Sequence, residues 1–245
     1  MLSYSEQARQ ARLKVLDMVY KAQSSHIGSN FSVIDILTVL FANLKEHDQV
    51  ILSAGWKAAA FYYFLSKRGE FPEHWLDTYN QEGSTLIGLT EPGVPGVLFA
   101  GGSMQMGLPA AVGFALAKKI KGEPGTVYCV VSDGELAGGM IWESQLILKQ
   151  HNLDNLKIIV DCNGLQAMGE TSSILNVVDA EEQYDGHDFR EIGNALRSVA
   201  QDDQWVLFKT IKGRGVSFME NNNLYHYKNL SAEEYQKARE ELYAG

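Results

Sequence analysis

Two apolar runs, each ending at an oxygen-bearing side chain and a glycine, constrain this chain more than any other feature in it. Val127–Asp133, followed by Gly134, reads VYCVVSD-G, and Lys157–Asn163, followed by Gly164, reads KIIVDCN-G. Their Val, Ile, Tyr and Cys content fits strands buried on both faces of a parallel sheet. Between them, Gly138–Gln150 sets Ile141 with Leu148 and Trp142 with Leu146 at helical spacing. Strand, helix, strand makes a right-handed crossover. That crossover brings the C-terminal ends of both strands to one edge of the sheet, where open α/β sheets bind ligands. The expected fold is therefore α/β, a mostly parallel sheet with helices on both faces. A carboxylate, an amide oxygen and a nearby backbone carbonyl suit a magnesium ion that takes its other ligands from phosphate and water. An Asp-Gly after a strand also serves simply as a turn, so the pair alone leaves the metal role of Asp133 open.

Further landmarks follow in a fixed order. Ser25-His26-Ile27-Gly28 precedes the run from Ser32 to Leu37, and Val50-Ile51-Leu52-Ser53-Ala54-Gly55 reads as a strand and turn. Gly102-Ser103-Met104-Gln105-Met106-Gly107-Leu108 is a glycine-bounded loop before a helix. Asp185-Gly186-His187-Asp188, the stretch from Lys212 to Glu220, and Asn-Asn-Asn-Leu-Tyr-His ending at His226 complete the series. With Ser132-Asp133-Gly134 in place of Gly-Asp-Gly and Asn163 beyond it, the series resembles the N-terminal, diphosphate-binding half of transketolase over nearly the whole chain.

The resemblance implies a single thiamine diphosphate-binding domain over residues 1–245. The family's pyrimidine-binding and C-terminal domains are then expected on a partner chain, in an α2β2 assembly. The implied cofactor is thiamine diphosphate with Mg2+, or another divalent cation such as Ca2+. By the family pattern Asp133, Asn163 and the carbonyl of Leu165 hold the metal. Gly102, Met104, Gly134, Glu135, Asn163 and Lys57 are the expected cofactor-binding residues, and His26 and His226 the expected groups for substrate binding or proton transfer. The cofactor itself supplies the electron sink, while imidazoles have an ordinary pKa near the working pH. His187 is expected to hold a loop, and His47, His74 and His151 to be exposed without a role.

The departures from the family pattern narrow the reading. Where the family has a Gly-His that contacts the diphosphate, this chain has Gly55-Trp56-Lys57. Lys57 then reads either as a point-charge phosphate binder or as a solvated surface lysine. Gly88-Leu89 replaces a Gly-His that binds a donor hydroxyl. Leucine leaves a buried hydroxyl there unpaired, at a cost of about 1–3 kcal/mol. Gly138 replaces a glutamate of the subunit contact, Glu143 is retained, and Gln105-Met106 alters the usual glycine-rich loop. These changes point to a transketolase-like transfer of a two-carbon ketol unit with an atypical donor or acceptor. Alternatives are transfer of an acetyl unit from pyruvate, a non-catalytic scaffold that keeps the fold, or a different α/β diphosphate enzyme.

Composition sets the outer limits. A net charge of −9 without a basic stretch argues against nucleic acid. No apolar run reaches the roughly twenty residues of a membrane span, and the N-terminus reads as an amphipathic helix of mixed charge rather than a signal peptide. Cytoplasm is the default expectation. Two cysteines, Cys129 and Cys162, fall inside predicted strands and form neither a disulfide framework nor a zinc site. Hydrophobic spacing predicts helices over 4–22, 32–44, 56–68, 104–120 and 188–200, with strands over 50–54 and 204–211. Loops are expected over 81–101, above the site, and over 163–184, beside the metal.

Overall fold

A computed structural model of the chain describes residues 2–178, 183–198 and 204–245. One sheet holds five strands: β1 (Gln49–Leu52), β2 (Val127–Ser132), β3 (Leu156–Cys162), β6 (Gln183–Asp185) and β7 (Trp205–Lys209). Their spatial order is β1-β2-β3-β7-β6 and every neighbouring pair is parallel. A separate antiparallel ribbon pairs β4 (Leu165–Gln166) with β5 (Gly169–Glu170).

Burial of alternate residues on the two faces explains why the strand sequences are largely apolar. Val50, Leu52, Val130, Ile159, Val206 and Phe208 point into one core, built with α1 (Tyr4–Lys21), α2 (Ile27–Asn43), α3 (Ala58–Arg68), α7 (Phe189–Ser198) and α8 (Ala232–Ala244). Ile51, Cys129, Val131, Ile158 and Val160 point the other way, against α4 (Gly107–Lys121) and α5 (Gly139–His151). Both faces are covered, so neither can carry a polar stripe. The cysteines are buried and unpaired, as expected. Among the described residues no helix is long and apolar enough to cross a membrane.

Several boundaries differ from the sequence expectation. Helix α2 starts at Ile27 rather than 32, and every residue from Ile27 to Leu40 is buried. A helix enclosed on all sides lacks the one-sided periodicity that locates a surface helix. The helix expected from 56 opens with a 3-10 turn, Gly55–Lys57, before α3. The helix expected from 104 begins at Gly107. The segment 163–184 is not all loop: it holds β4, β5, the short helix α6 (Thr171–Ile174) and the first residues of β6. These pieces are too short for periodicity to register. The last two residues of the helix expected over 188–200 lie outside the described residues.

A buried ionic cluster ties the first core together. Arg12 donates from Nη1 to Asp35 Oδ1 at 2.8 Å and from Nη2 to Oδ2 at 2.7 Å, and its Nε reaches the Arg214 carbonyl at 2.9 Å. The Ile211 N–H donates to His187 Nε2 at 2.8 Å, which leaves the proton on Nδ1, 2.7 Å from Asp35 Oδ2. His187 thus fastens the turn after β6 to α2. Burial raises the Asp35 pKa, but Arg12 and His187 outweigh it and hold the carboxyl down to about 2. Its contribution is present above the ordinary carboxylate pKa and is lost as pH falls from there toward about 2. Asp35→Ala, which strands a buried guanidinium, is expected to destabilise the fold by about 3–5 kcal/mol, measured by denaturant unfolding.

Candidate functional site

Because every strand of the main sheet is parallel, the segments that follow β1, β2, β3 and β7 all emerge at one edge. After β2 the chain turns at once into a 3-10 helix, Asp133–Ala137, with Ser132 as its cap. Asp133 is buried there. Its Oδ2 accepts from the Gly164 N–H at 2.7 Å and from Thr171 Oγ1 at 3.4 Å, and its Oδ1 from the Gly134 N–H at 2.9 Å. Asn163 precedes Gly164, so the structure brings the two predicted metal side chains to one place. Asn163 Oδ1 accepts from the Leu165 N–H at 3.1 Å and its Nδ2 contacts Ser32 Oγ at 3.4 Å, which orients the amide.

The donor set fits a hard divalent cation. Asp133 meets only neutral donors, and it takes part in none of the ion pairs among the described residues. Burial and the nearby Asp161 carboxylate push it up to about 6, against the pull of the Gly164 and Gly134 N–H groups and Lys57. No group of three or more His, Cys, Asp or Glu side chains forms a metal cage among the described residues. A ligand set of one carboxylate, one amide and one carbonyl, completed by phosphate and water as Mg2+ prefers, would need no such cage. The Gln166 amide nitrogen is buried without a hydrogen-bond partner, and Gln166 Cγ lies 3.2 Å from where a Cβ on Gly134 would stand. No sequence pattern singles out Gln166, because a lone glutamine in an irregular segment carries no signal.

Two expected cofactor residues face inward instead. Lys57 is fully buried and its ammonium is paired with Asp161, whose carboxylate also accepts from Ser32 Oγ at 2.6 Å and from Thr210 Oγ1. It is neither a solvated surface lysine nor a group open to a phosphate, because Asp161, one layer beneath Asn163, takes its charge. Glu135 is also fully buried. Its Oε1 accepts from Ser53 Oγ at 2.6 Å and from the Gln105 N–H at 2.8 Å, and its Oε2 from the Ser132 N–H at 2.9 Å. Every lone pair that could reach a ligand is directed into protein. Glu135 therefore clasps the ends of β1 and β2 to the 101–107 loop.

That loop lies hard against the sheet edge. A Cβ on Gly55 would stand 2.3 Å from the Gly101 carbonyl oxygen, and one on Gly107 2.5 Å from Ser53 Cα. Gly102 and Met104 are exposed on it, and Leu89 lies alongside, with its Cδ1 3.5 Å from a Cβ position on Gly102. Leu89, Ile87 and Met104 give this rim an apolar character.

On the opposite side His26 and His226 meet. Their ring centroids are 4.9 Å apart, and the His26 N–H donates to the His226 carbonyl at 2.9 Å. His26 occupies the left-handed region at φ 69 as it enters α2. Lys212, which is fully buried, approaches His226 Nδ1 at 2.8 Å and Asn223 Oδ1 at 2.9 Å. A Cβ on Gly28 would stand 3.1 Å from Lys212 Cγ, so glycine admits the lysine. Burial, then the Lys212 charge, hold His26 at about 4 and His226 at about 3. Burial and Lys57 hold Lys212 at about 8. At neutral pH Lys212 is the charged donor, so His226 accepts at Nδ1 and carries its proton on Nε2. Among the described residues neither Nε2 has a hydrogen-bond partner. His47, His74 and His151 are exposed, as expected.

Residues 3–244 match the family model described as transketolase, thiamine diphosphate binding domain. The chain belongs to the transketolase family. It is 34% identical to one subunit of the apulose-4-phosphate transketolase of Actinobacillus succinogenes, covering 98% of this chain and 97% of that protein. It is 30% identical to a 6-deoxy-6-sulfo-D-fructose transketolase subunit of a Clostridium species, covering 98% and 96%. Among solved structures, transketolase from Campylobacter jejuni superposes with a TM-score of 0.88 at 28% identity. That match covers 99% of this chain and 43% of the other, so the chain spans less than half the length of that transketolase.

Replacing Lys212 with Met is expected to raise the pKa of both imidazoles, most at His226. Burial, the larger cause, keeps them below the ordinary 6.5. Titration of the ring protons by NMR checks this, and unchanged titration would contradict the assigned contact.

Proposed function

We propose that this chain is the diphosphate-binding subunit of a two-chain, thiamine diphosphate-dependent transketolase that transfers a two-carbon ketol unit between sugar-type substrates. The observation that carries the reading is the convergence of Asp133 and Asn163 at one sheet edge. The match of this chain, end to end, with relatives that are themselves subunits of transketolases supports it. The partner is expected to bring the pyrimidine-binding domain, in an α2β2 assembly. The exposed Trp142, Leu146 and Ile147 on α5 offer an apolar face for such an association.

In this reading Asp133, Asn163 and the Leu165 carbonyl hold Mg2+ or a similar divalent cation. The Gly134 turn and the Gln166 amide line the diphosphate. When bound, the thiazolium supplies an electron sink for carbon–carbon bond cleavage and formation. His226 presents its Nε2 proton to a substrate oxygen, while Lys212 at Nδ1 keeps the ring from acting as a base at neutral pH. His26, also neutral, offers a second polar edge to the same oxygens. The apolar rim of Leu89, Ile87 and Met104 supplies no side-chain partner for a hydroxyl, which favours a donor or acceptor deoxygenated or branched at that point.

The test is reconstitution with the partner subunit. Weak or undetectable thiamine diphosphate binding by the chain alone and tight, Mg2+-dependent binding by the pair are expected. Asp133→Ala should weaken cofactor retention by more than about 100-fold, beyond what loss of a supporting contact gives. His226→Ala should spare retention and slow turnover. The opposite pattern, or turnover with pyruvate and none with any ketose phosphate, would overturn the proposal.

A further inference from the structure

Two residues at this edge are each wrong for their own backbone. Gln105 stands at φ 72, in the left-handed region that favours glycine, yet carries a long side chain. Gly138 stands at φ −101 and ψ 146, an extended conformation open to any residue, yet carries none. Neither choice follows from local conformation.

Their contact accounts for both. The Gln105 side chain folds back across the turn after β2, and its amide covers Gly138. A Cβ at 138 would lie 1.7 Å from Gln105 Cδ and 1.8 Å from both Nε2 and Oε1. Glycine at 138 is needed for space rather than for conformation. The left-handed turn at 105 is also the one in which the residue's own N–H donates to Glu135 Oε1 at 2.8 Å. Backbone and side chain of one residue therefore grip the same turn at two points, on either side of Leu136 and Ala137. Asp133 opens that turn.

We propose that Gln105 is a positioning residue for cofactor binding, latching the 101–107 loop onto the Asp133–Gly138 turn, with Gly138 as the seat of its amide. This rests on the reading that the Asp133 edge holds the diphosphate. Its consequence is that positions 105 and 138 act as one unit. Gln105→Gly removes the amide while relieving the backbone, and Gly138→Ala expels the amide while leaving Gln105 in place.

The experiment uses the co-purified two-subunit complex carrying Gln105→Gly, Gly138→Ala, or both. Each single substitution is expected to raise the thiamine diphosphate concentration for half-maximal turnover about tenfold, the size typical of a supporting contact. Loss of kcat at saturating cofactor should be small by comparison. The double variant should be no worse than either single one, since both break the same contact. Amide hydrogen exchange across 101–107, measured without cofactor, should quicken in all three. Effects that add in the double variant, or exchange that stays unchanged, would overturn the latch. If the unsubstituted complex bound no thiamine diphosphate, the functional proposal would fail, while the exchange measurement would still decide the latch.

Discussion

Asp133 is a buried carboxylate answered only by neutral donors, and the rest of the site is arranged around that fact. Taking a carboxylate out of water is costly unless its charge is compensated, and its raised pKa registers that cost. The two backbone N–H groups that reach it hold its oxygens in place without cancelling the charge. Asp161, the carboxylate whose charge acts on it, is paired separately with Lys57. The lysine and aspartate beneath the edge are thus paired with each other, while Asp133 meets no cation among the described residues. A buried pair of this kind is weak grounds for a stability argument.

The parallel sheet makes this arrangement attainable. In a parallel sheet all C-terminal strand ends share an edge, so residues far apart in the chain become neighbours: Ser53, Asp133, Asn163 and Lys212. Glu135 then draws the 101–107 loop onto that edge by accepting from both Ser53 and Gln105. On the other flank, Lys212 and the His26–His226 backbone bond bring the two imidazoles together. Burial keeps both rings neutral, and the lysine fixes which nitrogen of His226 bears its proton.

Much of this was legible in the sequence, for identifiable reasons. The runs ending at Asp133 and Asn163 announced buried parallel strands because both faces are covered, and their terminal side chains announced the edge. The histidines at 26 and 226 were found through ordered motifs. What could not be read was where long side chains turn. Lys57 and Glu135 sit at positions adjoining the site, but their charged ends point into the interior, a choice made by Asp161 and Ser53 from distant strands. Gln166 lies in a segment too irregular for periodicity. Gln105 and Gly138 registered as two unrelated departures, because only the fold shows that one fills the space the other leaves.

If Asp133 and Asn163 grip one divalent cation, anomalous diffraction will find it between them. Crystals of the two-subunit complex grown with thiamine diphosphate and Mn2+ in place of Mg2+ would locate the metal without reference to activity. One anomalous peak is expected at coordination distance from the Asp133 carboxylate, the Asn163 amide oxygen and the Leu165 carbonyl. A peak elsewhere, or saturating cofactor with no metal between those residues, would contradict it.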